Sequence, residues 1–185
     1  MRPTIAITVT AAVALLAACV QQPEPARPDL SAPPPVRSRI DANRDDALKA
    51  VIERRLHEID RHAMRAVTVE VWQGRALLMG AVAKPEQRRK AEAAARAVSG
   101  VAEVVNELVL AEDRALDLFA PDPAREGAVR TALGLEGKAG ITVRVVNGVA
   151  FLLGAAASRD QAEAMKADAL DVEGIKWAVA VLTAP

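Results

Sequence analysis

One stretch of this chain occurs twice. Residues 69–108, laid without a gap on residues 143–182, give identical pairs at Val69/Val143, Val71/Val145, Gly74/Gly148, Leu78/Leu152, Gly80/Gly154, Gln87/Gln161, Ala95/Ala169, Gly100/Gly174 and Leu108/Leu182. The shift is 74 throughout. Three glycines, one alternating apolar run and one alanine-rich run recur in fixed order, which marks a duplicated structural unit rather than chance. Any fold that suits one copy has to suit the other.

Within each copy the pattern reads strand, turn, strand, helix, strand. Val67, Val69 and Val71 alternate with other residues, Gln73-Gly74 interrupts, and Ala76, Leu78, Gly80 and Val82 alternate again. That is a hairpin, and Asn147-Gly148 in the second copy suits the two positive-φ positions of a type I′ turn. A helix start follows. Pro85 stands ready for a first helical position, and Ser158 with Gln161 has the spacing of a capping box. Residues 85–98 place Ala91, Ala94, Ala95 and Val98 on one face, and Gly100 falls where a left-handed C-cap is expected. A last strand is predicted over residues 104–110, and because Val104, Val105, Leu108, Val109 and Leu110 are all apolar, its buried face is left open.

These residues resemble the BON domain (bacterial OsmY and nodulation). The resemblance rests on V-x-V-x-x-G-x-x-x-L-x-G, an alanine-rich helix and G-V-x-x-V-x-N-x-L, which stand here as Val69, Val71, Gly74, Leu78, Gly80, Gly100, Val101, Val104, Asn106 and Leu108. The second copy keeps Val143, Val145, Gly148, Leu152, Gly154, Gly174, Ile175, Val179 and Leu182, but has Ala178 and Ala180 in place of Val104 and Asn106. The resemblance implies a further helix before each hairpin. Leu48, Val51, Ile52, Leu56 and Ile59 recur at helical spacing after Asp45-Asp46; Asp122-Pro123 offers a cap ahead of Ala128, Val129, Ala132 and Leu133. The expected fold class is therefore α+β: two tandem αββαβ BON-like units, each a small three-stranded sheet with two helices on one face. A unit of roughly 60 residues hides only about 60% of its unfolded surface, so the copies are expected to pack on each other.

The organisation before and between the copies is read from composition. Residues 1–19 have Arg2, an apolar run from Ile5 to Leu16, and then Leu16-Ala17-Ala18-Cys19, the pattern of a bacterial lipobox. The run is shorter than the ~20 residues that span a bilayer, so a lipoprotein signal peptide with Cys19 as the lipid anchor is preferred to a membrane helix. Val20 after the cysteine resembles the outer-membrane sorting pattern, which implies a protein facing the periplasm of a Gram-negative bacterium. Residues 20–42 carry Pro23, Pro25, Pro28, Pro33, Pro34 and Pro35 and read as an extended tether. Residues 43–112 form the first unit, 113–121 a linker whose Leu116, Leu118 and Phe119 should pack on the domains, and 122–185 the second unit.

Catalytic chemistry finds no purchase in this sequence. The two histidines, His57 and His62, fall at the end of the first helix, where imidazole meets the last carbonyls. There is one cysteine, no clustered set of metal ligands, no nucleophile elbow and no phosphate loop, so neither metal nor cofactor is expected and the protein reads as a non-enzyme. Lys+Arg and Asp+Glu both number 24, and a net charge of zero argues against nucleic acid. Trp72 and Trp177 suit either burial in the seam between copies or anchoring at a membrane interface.

What remains is a binding surface. Lipoproteins with two BON domains, the DolP/YraP type, bind anionic phospholipid, support outer-membrane integrity and are linked to the assembly of outer-membrane proteins. In that type lipid contact belongs to the first helix of the second domain, which corresponds here to residues 124–133 with Arg125 and Arg130. A competing candidate is the basic helix of copy one, with Arg88 and Arg89, although Glu86 and Glu92 interrupt its charge. The six repeated glycines, Gly74, Gly80, Gly100, Gly148, Gly154 and Gly174, are structural candidates. A chaperone or adaptor acting through an exposed apolar groove or sheet edge is the alternative function.

Overall fold

The computed structural model describes residues 33–185; the expected signal segment with Cys19 and the expected tether up to residue 32 lie outside the described residues. The first unit comprises α1 (Arg39–Asp60), β1 (Val67–Trp72), β2 (Arg75–Val82), α2 (Pro85–Arg96), β3 (Glu103–Asn106) and β4 (Val109–Leu110). A 3-10 helix, Asp113–Phe119, leads to the second unit: α3 (Pro123–Ala132), β5 (Ile141–Val146), β6 (Val149–Ala155), α4 (Arg159–Leu170) and β7 (Trp177–Thr183). The order αββαβ thus occurs twice.

Each hairpin is antiparallel, and the strand after the second helix joins the far side of its middle strand in parallel. The register is the same in both copies: Val69 faces Leu78 and Val143 faces Leu152, while Ala76 pairs with Val104 and Ala150 with Ala178. Gln73 and Asn147 both have φ of 48°, and Gly74 and Gly148 both 77°, so both hairpins take the primed turn. Gly80 and Gly154 have a different reason to be glycine. A Cβ there would collide with the carbonyl oxygen of Ala66 or of Gly140, which crosses the strand at that point.

The helices of each unit cover one sheet face, and the other faces of the two sheets cover each other. Val69, Val71, Ala76 and Leu78 pack under α1 and α2 with Leu48, Ile52, Leu56, Ala91 and Ala95. Val143, Val145, Ala150 and Leu152 pack under α3 and α4 with Val129, Met165 and Ala169. Between the sheets lie Trp72, Leu77 and Met79 from one unit and Val146, Phe151 and Leu153 from the other, which are each other's counterparts at the 74-residue shift. The molecule is therefore four-layered, helices, sheet, sheet, helices. This explains the strand composition: a sheet covered on both faces needs apolar residues at every position, and β2 from Ala76 to Val82 is buried without a break.

Several expectations are sharpened. Helix α1 begins at Arg39, well before Asp45-Asp46, because Ser38 supplies its N-cap by accepting from the Asp41 N–H at 3.1 Å. Ile59 on α1 is 39% exposed, and in the shorter α3 Val129 is fully buried while Ala128 and Ala132 are exposed. The last strand of the first unit is broken after Asn106. Leu108 turns into the helix-side core, Val105 into the seam, and Val109 and Leu110 are exposed. In the linker Leu116 is fully buried with Ala66 and Ala81, whereas Leu118 is 70% exposed. His62 faces Asp113 rather than the helix end, at 3.5 Å.

Candidate functional site

The seam is held by charge as well as by packing. Glu70 and Arg144 occupy equivalent positions on β1 and β5, and Arg144 Nε donates to Glu70 Oε1 at 2.7 Å. Lys49 of α1 donates to the same oxygen at 2.9 Å, and Glu126 of α3 accepts from Arg144 at 2.9 Å and from the Val145 N–H at 3.2 Å. Burial opposes the charge on Arg144, but Glu70 and then Glu126 outweigh it and leave its pKa raised. A residue meeting its own counterpart is what a local two-fold axis produces. These four alternating charges close the seam along the two edge strands.

The same strand edges are covered by main-chain segments. Arg37 donates to the Val71 carbonyl at 3.2 Å and pairs with Asp45, which accepts from the N–H groups of Gln73 and Gly74 at 2.8 and 3.0 Å. On the other unit the Val145 carbonyl accepts from the Asp122 N–H at 2.8 Å and Pro121 bridges Val146. Neither strand offers a free edge there.

At the hairpin end of each unit the turn, the start of the first helix and the glycine after the second helix enclose a small hollow. In the first unit it is lined by Asp41, Arg44, Asp45, Gly74, Gly100 and Ala102. In the second it is a cleft of about 290 Å³ between Arg125, Lys176, Gly148, Gly174 and the exposed Leu118. Lys176 replaces Ala102, and Trp177, the next residue, is 60% exposed. The first hollow thus carries Asp41, Arg44 and a buried Asp45 paired with Arg37, whereas the second adds Lys176 to the Asp122–Arg125 pair, so its unspent charge is cationic, and Leu118 stands out beside it.

The four candidate arginines divide differently. Arg125 pairs with Asp122, whose carboxyl is held below the usual carboxylate range by the Arg125 N–H and guanidinium, and its side chain lies against Gly174. Arg130 donates to three carbonyls, Leu135 at 2.7 Å, Lys138 at 3.1 Å and Ile141 at 3.3 Å, and so fastens the loop between α3 and β5. Arg88 donates to the Asn106 carbonyl at 3.1 Å, and Arg89 is exposed beside it. Lys90 and Arg96 on the same helix pair with Glu86 and Glu92 at 2.7 Å each. Helices α2 and α3 belong to opposite outer layers, so Arg88 and Arg89 are not brought together with Arg125 and Arg130. Of the tryptophans, Trp72 is buried in the seam and Trp177 is not.

Comparison with known proteins places this arrangement. The BON domain family matches residues 44–112 and again residues 121–178. This chain belongs to the BON-domain family. BON domains bind phospholipids, occur in envelope-associated proteins and are in general non-enzymatic. A protein of the gshII 5′ region of Anaplasma centrale, described as uncharacterized, is 32% identical over 142 residues, which is 73% of this chain and 91% of that protein. Among solved structures the chain is similar to the C-terminal domain of CdsD, a structural protein of the type III secretion system of Chlamydia trachomatis, at 14% identity and a TM-score of 0.31, covering 80% of this chain and all of that domain. A second structure of CdsD gives 15% identity and a TM-score of 0.29, with 75% and 93% covered. Among the described residues no helix is long and apolar enough to cross a membrane, and no group of three or more His, Cys, Asp or Glu could hold a metal.

Sequence reasoning missed three functional elements. The Glu70 to Arg144 pair was visible only as two unlike residues at equivalent positions. Lys176 was hidden in a strand start, and Asp45, read as a helix-end residue, is a buried acceptor for the hairpin turn.

Proposed function

We propose that this chain is a non-enzymatic lipoprotein of the outer membrane, anchored through Cys19 and facing the periplasm, that binds anionic phospholipid and supports outer-membrane integrity. The observation that carries this reading is the hairpin end of the second unit. There Lys176 and an Arg125 paired with Asp122 line a cleft with exposed Leu118, and Trp177, the residue after Lys176, is exposed as well, giving cations for the phosphates and apolar groups for the headgroup region. The equivalent end of the first unit has Ala102 in place of Lys176 and sets Asp41 beside Arg44, so it offers the same surface no net cation. A proline-rich tether lets this end reach the inner leaflet, and acyl chains on Cys19, each gaining ~0.8 kcal/mol per buried CH₂, keep it there.

Flotation of the unlipidated chain from residue 20 onward with vesicles tests the reading. Binding is expected to phosphatidylglycerol and not to phosphatidylcholine, to fall with salt, and to weaken by about tenfold or more in Arg125→Glu/Lys176→Glu, since each surface cation is worth ~1 kcal/mol. Loss in Arg88→Glu/Arg89→Glu instead would move the site to α2.

A second reading, an adaptor or chaperone for outer-membrane protein assembly, is favoured by β7. Among the described residues this strand pairs only with β6, and its sequence, Trp177-Ala178-Val179-Ala180-Val181-Leu182-Thr183, has no charge, proline or bulge to blunt its outer edge. Absence of vesicle binding together with suppressed aggregation of an unfolded outer-membrane barrel would select it.

A further inference from the structure

A cleft larger than either hairpin-end hollow lies where the two units meet the end of the tether. Residues 33–38 cross from α1 to the second unit, where Pro34 is buried and Gly140 has no room for a side chain because the carbonyls of Pro34 and Pro35 lie against it. Between this strap, α3 and β5 opens a cleft of about 680 Å³. That volume lies within the roughly 300–1,000 Å³ of small-molecule sites. Its walls carry five cationic side chains, Arg37, Arg39, Arg130, Lys138 and Arg144, against one carboxylate, Glu126.

Not all of that charge is spent within the protein. Arg37 is paired with Asp45, and Arg144 with Glu70 and Glu126. Arg130 donates only to carbonyls, and among the described residues Arg39 and Lys138 have no carboxylate within ion-pair distance. The apolar part of the wall is Val36, Trp72, Ile141 and Val143. Trp72 adds an independent sign. It is 4% exposed, the Arg37 guanidinium lies 4.6 Å over its ring, and its indole N–H has no hydrogen-bond acceptor, the one such buried side-chain atom found among the described residues. Buried donors are almost always satisfied, so one that is not, in a wall rich in unspent cations, marks where an acceptor is missing.

We propose that this inter-unit cleft binds a single anionic amphiphile, a phosphodiester headgroup with the first part of its chains, as distinct from the bilayer surface met by the hairpin end. The phosphate lies among Arg39, Arg130 and Lys138, the chains run along Val36, Ile141 and Val143, and a ligand oxygen accepts from Trp72 after Arg37 shifts. The choice of a lipid rests on the anionic-phospholipid reading above; the cleft and its charge do not. Because the strap is the continuation of the tether, a ligand seated here joins both units to the segment that leads to the anchor.

The test is a titration followed by the indole N–H resonance of Trp72, which Trp177→Phe leaves as the only indole signal of the unlipidated chain from residue 20 onward. Dihexanoyl phosphatidylglycerol, kept below its micelle concentration, is expected to shift that resonance saturably. Dihexanoyl phosphatidylcholine and Arg39→Glu/Lys138→Glu are each expected to weaken the effect by about tenfold or more. Arg125→Glu/Lys176→Glu, which should weaken vesicle flotation, is expected to leave this titration unchanged, so either site can fail without the other. An unmoved resonance, or an equal response in Arg39→Glu/Lys138→Glu with its melting unchanged, overturns the proposal. Glycerol phosphate binding as tightly as the lipid would overturn the amphiphile and leave a soluble phosphate ester as the ligand.

Discussion

The two halves of this molecule share a register to the residue and differ in almost everything outside it. The first has a helix of 22 residues, Arg39–Asp60, anchored by Leu48, Ile52 and Leu56. The corresponding helix of the second has 10 residues, and only Val129 of its apolar positions is fully buried. Where the first has Glu70, Trp72 and Leu77 on its seam face, the second has Arg144, Val146 and Phe151. Two identical units packed in this way would set Glu70 against another Glu70, a like-charge contact on a half-buried edge. Having both copies on one chain let equivalent positions take opposite charges and complementary sizes, and that commits each unit to its neighbour. The same divergence put Lys176 and Trp177 at one hairpin end where the other has Ala102 and Glu103, so the two ends are no longer equivalent.

The seam, not the helices, should therefore decide the stability of the second unit. Phe151→Ala removes a side chain that is 5% exposed at the centre of the inter-sheet cluster, and a loss of ~3–5 kcal/mol is expected from the cavity and transfer terms together. Denaturant unfolding should remain a single transition, and amide protection should fall in β2 as well as in β6. Protection that falls in the second unit alone would show that the two units are independent modules and end the comparison drawn above.

Arg144→Ala tests the charged edge of the same seam. It leaves Glu70 and Glu126 facing each other's side without their shared cation, and the side chains concerned are 33% and 11% exposed. Removing one partner of a fully buried pair costs 3–5 kcal/mol; with Arg144 a third exposed to solvent, about 2 kcal/mol is expected here. Glu70→Gln in the same protein should recover part of that, giving a coupling energy on the order of 1 kcal/mol in a double-mutant cycle. Full additivity of the two substitutions would reduce the pair to a surface contact.

How much of this could be read beforehand follows the range of the interactions. Turns and helix caps are local, so Asn147-Gly148, Pro85 and Asp122 announced themselves by type and spacing. The continuous apolar character of Ala76 to Val82 was also on the page, but it signals only that both faces are covered, not by what. The partner of each seam face lies 74 residues away, and no local pattern encodes that Glu70 will meet Arg144. Helix α1 was shortened in the reading because Arg39 to Ala42 follow three prolines and share the polar composition of the tether; a serine cap outweighed that composition. At the hairpin end, Arg125 stood out on a predicted helix and Trp177 as a candidate anchor, whereas Lys176 acquires meaning only when the last strand brings it beside Gly148.

The smallest expected effect concerns the one place where the paired strands differ. Asn106 accepts from the Leu108 N–H at 3.2 Å and donates to Glu92 at 3.0 Å, and the pairing with β2 lapses after the Glu107 N–H has donated to the Leu78 carbonyl and resumes at Val109. Its counterpart is Ala180, and β7 runs unbroken for seven residues. An asparagine side chain that takes up the N–H two residues on competes with strand pairing for the same donor. Asn106→Ala should therefore cost no more than about 1 kcal/mol, the net worth of the hydrogen bonds lost, because the freed backbone can resume the ladder that Ala180 allows. Amide exchange should slow at Leu108 but not at Glu107, whose N–H already donates to the Leu78 carbonyl at 2.9 Å, while overall stability falls slightly. Ala180→Asn should do the reverse, opening the continuous edge of β7, and if the adaptor reading holds, it should weaken the capture of unfolded barrel protein without touching vesicle binding.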